Sequence, residues 1–199
     1  MAMTPPRWAA LPGLVVLSVL LTGCACGGRQ AEAPAPEASP APEGALPELE
    51  HIDVVLFFPA EDGSALLPEK RTIVKTSEPG TLAKQLIAEL VVGPQEAGKV
   101  RALPEGTVLR QVYLTPEGTA YADFGPELRA GLGGGSAAEL MAVYAVVNAL
   151  SSNIPDVRKV AILIGGQPVD SLNGHLDLSR PLPPRQDLVR GTLPTPAEG

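Results

Sequence analysis

Val108-Leu109-Arg110-Gln111-Val112-Tyr113-Leu114, Thr115-Pro116-Glu117-Gly118, Thr119-Ala120-Tyr121-Ala122-Asp123-Phe124: this stretch decides the fold class. Its first run alternates, with Val108, Arg110, Val112 and Leu114 on one face and Leu109, Gln111 and Tyr113 on the other, as a half-buried strand requires. Pro116 and Gly118 make the middle four residues a hairpin connection, so residues 119–124 return as the partner strand. Downstream, Leu140, Val143, Tyr144, Val147 and Leu150 form an apolar stripe that predicts a helix over 137–151. Ser136 with Glu139 three residues on has the spacing of a capping box. After Asn153-Ile154-Pro155-Asp156, residues 157–164 read as a buried strand, followed by Gly165-Gly166 and a last arm to Leu178. Upstream, Leu82, Leu86, Ile87, Leu90 and Val91 predict a helix over 81–92, with Thr81 as N-cap and Gly93-Pro94 as stop. Two β-rich runs precede it, 52–58 and 71–76, the first closed by Pro59 and the Asp62-Gly63 turn. The order β-β-α-β-β-α-β defines an α+β fold with two helices packed on one face of a sheet.

The remainder of the chain qualifies its overall composition: 199 residues, 45% hydrophobic, 22 Pro, 21 Gly, 4% aromatic and a net charge of −7. An acidic chain has no surplus of Lys and Arg to neutralise phosphates, so no nucleic-acid partner is expected. Residues 25–50 carry a net −4 of that charge, Arg29 against Glu32, Glu37, Glu43, Glu48 and Glu50. Those acids alternate with Pro34, Pro36, Pro40, Pro42 and Pro47 in a segment without apolar periodicity. Pro fixes φ and removes amide donors, so residues 24–49 read as an extended, solvated tether. The folded unit is expected over 50–182, with 183–199 as a flexible tail.

At the N-terminus, Arg7 precedes an apolar run over residues 9–21, short of the roughly 20 residues that span a bilayer, and so reads as a secretion signal. Leu21-Thr22-Gly23-Cys24 then resembles the lipobox of bacterial lipoproteins. The resemblance implies cleavage between Gly23 and Cys24, a diacylglyceryl group on the Cys24 thiol, and acylation (palmitate) of the new N-terminus. Two or more acyl chains anchor stably where one does not. The protein is therefore expected outside the cytoplasm, lipid-anchored to a membrane it does not cross, the outer one where the cell has one, since Ala25 is not an Asp-type retention signal. Cys26 is left as an idle thiol or an inter-chain partner.

Several blocks in register resemble the GerMN domain, associated with spore germination and sporulation proteins and found in many envelope lipoproteins. They are Phe57-Phe58-Pro59, Leu67-Pro68-Glu69-Lys70-Arg71, Leu90-Val91-Val92-Gly93-Pro94, Leu103-Pro104-Glu105-Gly106-Thr107, Tyr121-Ala122-Asp123-Phe124 and Val146-Val147-Asn148-Ala149-Leu150. The run from Val160 through Gly165-Gly166 to Leu172-Asn173-Gly174 and Pro181-Leu182 completes the match. The resemblance implies a non-catalytic extracytoplasmic domain, similar in fold to ring-building motifs of secretion-type assemblies. The sporulation member carries two such domains in tandem and supports a ring; one copy here points to an envelope interaction or scaffold module.

No catalytic residue, metal ligand or cofactor is assigned. Gly131-Leu132-Gly133-Gly134-Gly135-Ser136 lacks the Gly-Lys-Ser/Thr of a phosphate loop and reads as a connection. Nothing in the sequence places His51 or His175, with Asp53, Asp123, Asp170 or Asp177, beside Ser136 as a hydrolase triad. Neither His has a ligand-spaced companion, and Glu61-Asp62 reads as a solvated turn. The loops at Gly93, Pro94, Asn173 and Gly174 are the candidate interaction sites, with the membrane, an envelope protein or a second copy as partners. The alternative is a binding protein for a small molecule or cell-wall glycan. That would require exposed rings, whereas Phe57, Phe58, Tyr113, Tyr121, Tyr144 and Phe124 are expected in the core.

Overall fold

The computed structural model describes residues 49–192. Gly23, Cys24, Cys26, the tether to Glu48 and residues 193–199 lie outside the described part.

The first β-rich run is strand β1 (His51–Pro59), which pairs antiparallel with β2 (Leu66–Val74) from His51↔Val74 to Pro59↔Leu66. β2 thus starts five residues before the expected Arg71, because Leu66 and Leu67 find apolar partners on β1. Pro68 is tolerated in a two-stranded ribbon, where one side of each strand makes no ladder bonds. Asp62 closes the turn by accepting the Ser64 amide and hydroxyl at 3.0 and 2.6 Å.

Helix α1 (Pro79–Val92) begins before Thr81, with Glu78 at the cap position and Pro79 opening the helix, where its missing N–H costs nothing. Gly93 ends it at φ 94°, a conformation that disfavours any side chain. The hairpin forms as β3 (Leu109–Leu114) and β4 (Thr119–Phe124), but the register shifts between Leu109 and Gln111. The bulge turns Arg110 out and packs Leu109 against the core, leaving Val108 outside the strand and 52% exposed. Tyr113 is 55% exposed, contrary to the expectation that every ring is core.

A short helix, α2 (Glu127–Gly131), follows β4; five residues carry too little periodicity to show in a sequence. Helix α3 (Ser136–Asn153) then returns the chain to β5 (Lys159–Ile164), parallel to β4, and β6 (Gln167–Pro168) completes a four-stranded sheet β3-β4-β5-β6. The α+β class holds, with the strands divided between the β1–β2 ribbon and this sheet. α3 packs on the ribbon through β1 and on the sheet through β5. Covered from both sides, it is buried all round, from Met141 to Leu150, rather than along one stripe.

Ser136 is the first helical residue of α3, not its cap; Gly135 holds that position at φ 114° and no side chain caps the helix. The expected capping box is absent because Glu139 is engaged elsewhere, as described below.

The expected boundary at Leu182 also moves. Leu182 bridges to Val160, and Val189 to Leu66. Between them, buried Asn148 accepts the Arg185 amide at 2.9 Å and donates to its carbonyl at 3.1 Å. Leu188 and Val189 pack on the core, so the ordered arm runs beyond Leu182. Asn148→Ala is expected to cost about 2 kcal/mol, by deleting both bonds to the Arg185 backbone and leaving its carbonyl only the Leu188 amide at 3.4 Å. It should also speed tryptic cleavage after Arg185.

Candidate functional site

On β2, residues two apart share a face, and Glu69, Arg71 and Ile73 all face inward, at 1%, 5% and 7% exposure. Two buried charges need partners. Arg71 donates to Glu69 at 2.7 Å, to Glu89 of α1 at 3.0 Å and to the Gly93 carbonyl at 2.6 Å. Its guanidinium lies 5.7 Å from the Phe58 ring centroid. Glu69 also accepts the amides of Gln95 and Glu96 at 3.0 and 3.2 Å and the Lys99 ammonium at 3.2 Å. Burial works to raise the Glu69 carboxyl, but these donors outweigh it and hold it below its ordinary 4.5. The network fastens the Gly93–Lys99 loop to the ribbon.

Glu139, wholly buried, accepts the Leu172 and His175 amides at 2.8 and 3.0 Å. Here too burial raises and backbone donors, including Asn173 and Leu176, lower the carboxyl, for a net depression. Asp123 accepts the Gly166 amide at 2.7 Å and meets Arg110 at 3.3 Å. Each buried carboxylate therefore fixes a loop, and two of these loops hold the expected interaction residues.

These loops gather at one end of the domain. At the opposite end the described chain enters at Leu49, and the Glu50 carbonyl accepts the Lys75 amide at 2.8 Å. Near that end Pro79, Gly118 and Arg158 line one cleft, and the Gly118 carbonyl accepts the Arg158 amide at 2.8 Å. A side chain on Gly118 would strike the Asp156 carbonyl at 2.7 Å, which explains the glycine at this crossing. β1, β4 and β5 all run from this end towards Pro59, Phe124 and Ile164, and α3 runs back.

At the far end a cleft of about 450 Å³ lies between the 60–63 turn, Arg101–Pro104 and the glycine-rich connection, with Met141 of α3 among its lining residues. A second, of about 340 Å³, adjoins it and shares Gly63, Ala137 and Met141. Gly93 packs against Arg101, and Asn173 donates to the Leu132 carbonyl at 3.5 Å; Arg101 and Leu132 line the first cleft. The two loops therefore flank that cleft, while Gly93, Pro94, Asn173 and Gly174 themselves line neither cleft. Ser136 and His175 share the second cleft, where no carboxylate among the described residues lines the wall, and Asp177 is engaged by Ser179 at 2.6 Å. His51 sits on β1 at the other end. Among the described residues no three His, Cys, Asp or Glu converge as for a metal, and no helix is long and apolar enough to cross a membrane.

The Glu69–Arg71–Lys99 network was missed by sequence reading, although the strand alternation that continues back from Ile73 through Arg71 to Glu69 carries the signal. The Ser136–Glu139 spacing predicts a capping box, whereas Glu139 holds the 172–175 loop instead.

Fold and site define a small α+β domain whose buried charges hold loops in place. The family model described as sporulation and spore germination (Germane) matches residues 55–170, and the chain belongs to that family as a GerMN-domain protein. The first GerMN domain of the sporulation protein GerM from Bacillus subtilis is similar at a TM-score of 0.55 and 22% identity, over 66% of this chain and 96% of that one. The tandem GerMN domains of the same protein give 0.54 and 18%, over 69% of this chain and 48% of that one. A candidate lipoprotein from Clostridium perfringens is 26% identical over 67% of this chain and 87% of its own, with a TM-score of 0.49. No curated protein matches the chain.

Proposed function

We propose that this protein is an envelope lipoprotein whose GerMN domain is a non-catalytic protein-interaction or scaffold module, outside the cytoplasm and anchored through a lipid on Cys24. The observation that carries the reading is the division of the domain into two ends. The chain enters at one, and buried Glu69, Asp123 and Glu139 hold loops rigid at the other. Loops fixed in this way present a preorganised surface, which lowers the ordering cost of association.

The anchor is tested by Cys24→Ala. Loss of lipid labelling and release of the protein into the soluble fraction are the expected results; unchanged membrane retention would overturn the assignment.

A further inference from the structure

Among the described residues β3 has a neighbour on one side only, since the sheet runs β3-β4-β5-β6. Beside its free edge a groove of about 470 Å³ separates the strand from α1, lined by Lys84, Ile87, Ala88 and Val91 of the helix and by Leu109 and Arg110 of the strand. The groove is largely apolar, and the charges that line it are both cations. Lys84 and Arg110 are exposed; Arg110 already meets Asp123 at 3.3 Å, and among the described residues Lys84 has no carboxylate partner and none lines the groove. Val108, just before the strand, and Tyr113 on it, at 52% and 55% exposure, add apolar surface.

An unpaired strand edge offers main-chain hydrogen bonds to any extended segment, and a neighbouring groove selects among segments by their side chains. A second copy of this chain fits poorly, because pairing β3 with itself brings a second set of the same cations to one interface. An acid-bearing segment is complementary.

We propose that the β3 edge takes an extended, acidic segment of a partner protein as a fifth strand, with an apolar side chain in the α1–β3 groove and a carboxylate facing Lys84. The proposal rests on the interaction-module reading and gives that module its surface and the chemistry of its partner.

The test is amide hydrogen exchange on the full-length protein in detergent with two synthetic peptides, Thr-Val-Glu-Val-Glu-Val-Thr and its Lys-for-Glu counterpart. The acidic peptide is expected to slow exchange at Leu109–Leu114 and to bind at least about tenfold more tightly than the basic one, a difference of about 1.4 kcal/mol. Ala88→Trp, at an exposed helix position, fills the groove and should abolish binding; Lys84→Glu should invert the peptide preference without filling it. Equal binding of both peptides, no slowing at β3, or insensitivity to both substitutions would overturn the proposal. So would a dimer that protects the same amides without peptide. An envelope complex that survives both substitutions would leave the interaction module standing and remove this surface, whereas the absence of any complex would remove both.

Discussion

Glu139→Ala is expected to lower stability by about 3–5 kcal/mol, a large share of the roughly 5–15 kcal/mol that holds a domain folded. The carboxylate is wholly buried and accepts the Leu172 and His175 amides at 2.8 and 3.0 Å. A hydrogen bond to a charged group contributes about 1.5–3 kcal/mol, and deleting the acceptor leaves its donors unpaired. Glu139→Gln keeps the volume but turns one acceptor into a donor facing an amide, so an intermediate loss is expected. Ser136→Ala separates this account from the capping box. A true cap would cost about 1 kcal/mol, whereas a first-turn residue without a cap bond should change stability by less than about 0.5 kcal/mol. Urea midpoints measure all three, and exchange at residues 172–176 should rise first in the Glu139 variants. An unchanged midpoint for Glu139→Ala would contradict the assignment.

Glu69→Ala is the second large effect, also about 3–5 kcal/mol, the usual cost of removing one partner from a buried ion pair. Arg71 is left at 5% exposure with Glu89 and the Gly93 carbonyl only. The Gln95 and Glu96 amides lose their acceptor. Adding Arg71→Met should cost less than the two single changes summed, with a coupling of about 2 kcal/mol in the double-mutant cycle. The same carboxylates set a pH dependence. Glu69 and Glu139 have folded-state values below the ordinary 4.5, so the folded state favours their ionised forms. Their stabilisation is complete above that value and is lost as pH falls through the depressed ones. Urea midpoints should therefore drop below about pH 4.5 in the parent protein and drop less steeply in either alanine variant.

Much of the α+β architecture is legible in the residues because it is written in local periodicity. The 109–124 hairpin, the α1 stripe and the stop at Gly93, where φ is 94°, need only neighbours in sequence. Pairing is not local, and the division of the strands into a ribbon and a sheet could not be read from spacing. The arm beyond Leu182 escaped for a related reason. Its own sequence is poor in apolar residues, and what holds it is Asn148, 37 positions away. Ser136 and Glu139 show how one pattern serves two structures. The same spacing that makes a capping box also places a carboxylate on the inner face of α3, and only the loop packed there decides between them. At the far end, the sequence pointed to the Gly93-Pro94 and Asn173-Gly174 loops through their turn residues. The cleft between them depends on Arg101 and Leu132, which carry no motif.

The central claim is that an anchored GerMN domain works by binding another protein. Crosslinking in intact envelopes, with the anchor in place, tests it most directly. The account predicts a discrete adduct heavier than the chain, lost or strongly reduced on Cys24→Ala. Recovery of the protein solely as an uncrosslinked monomer, under conditions that capture known envelope complexes, would contradict it.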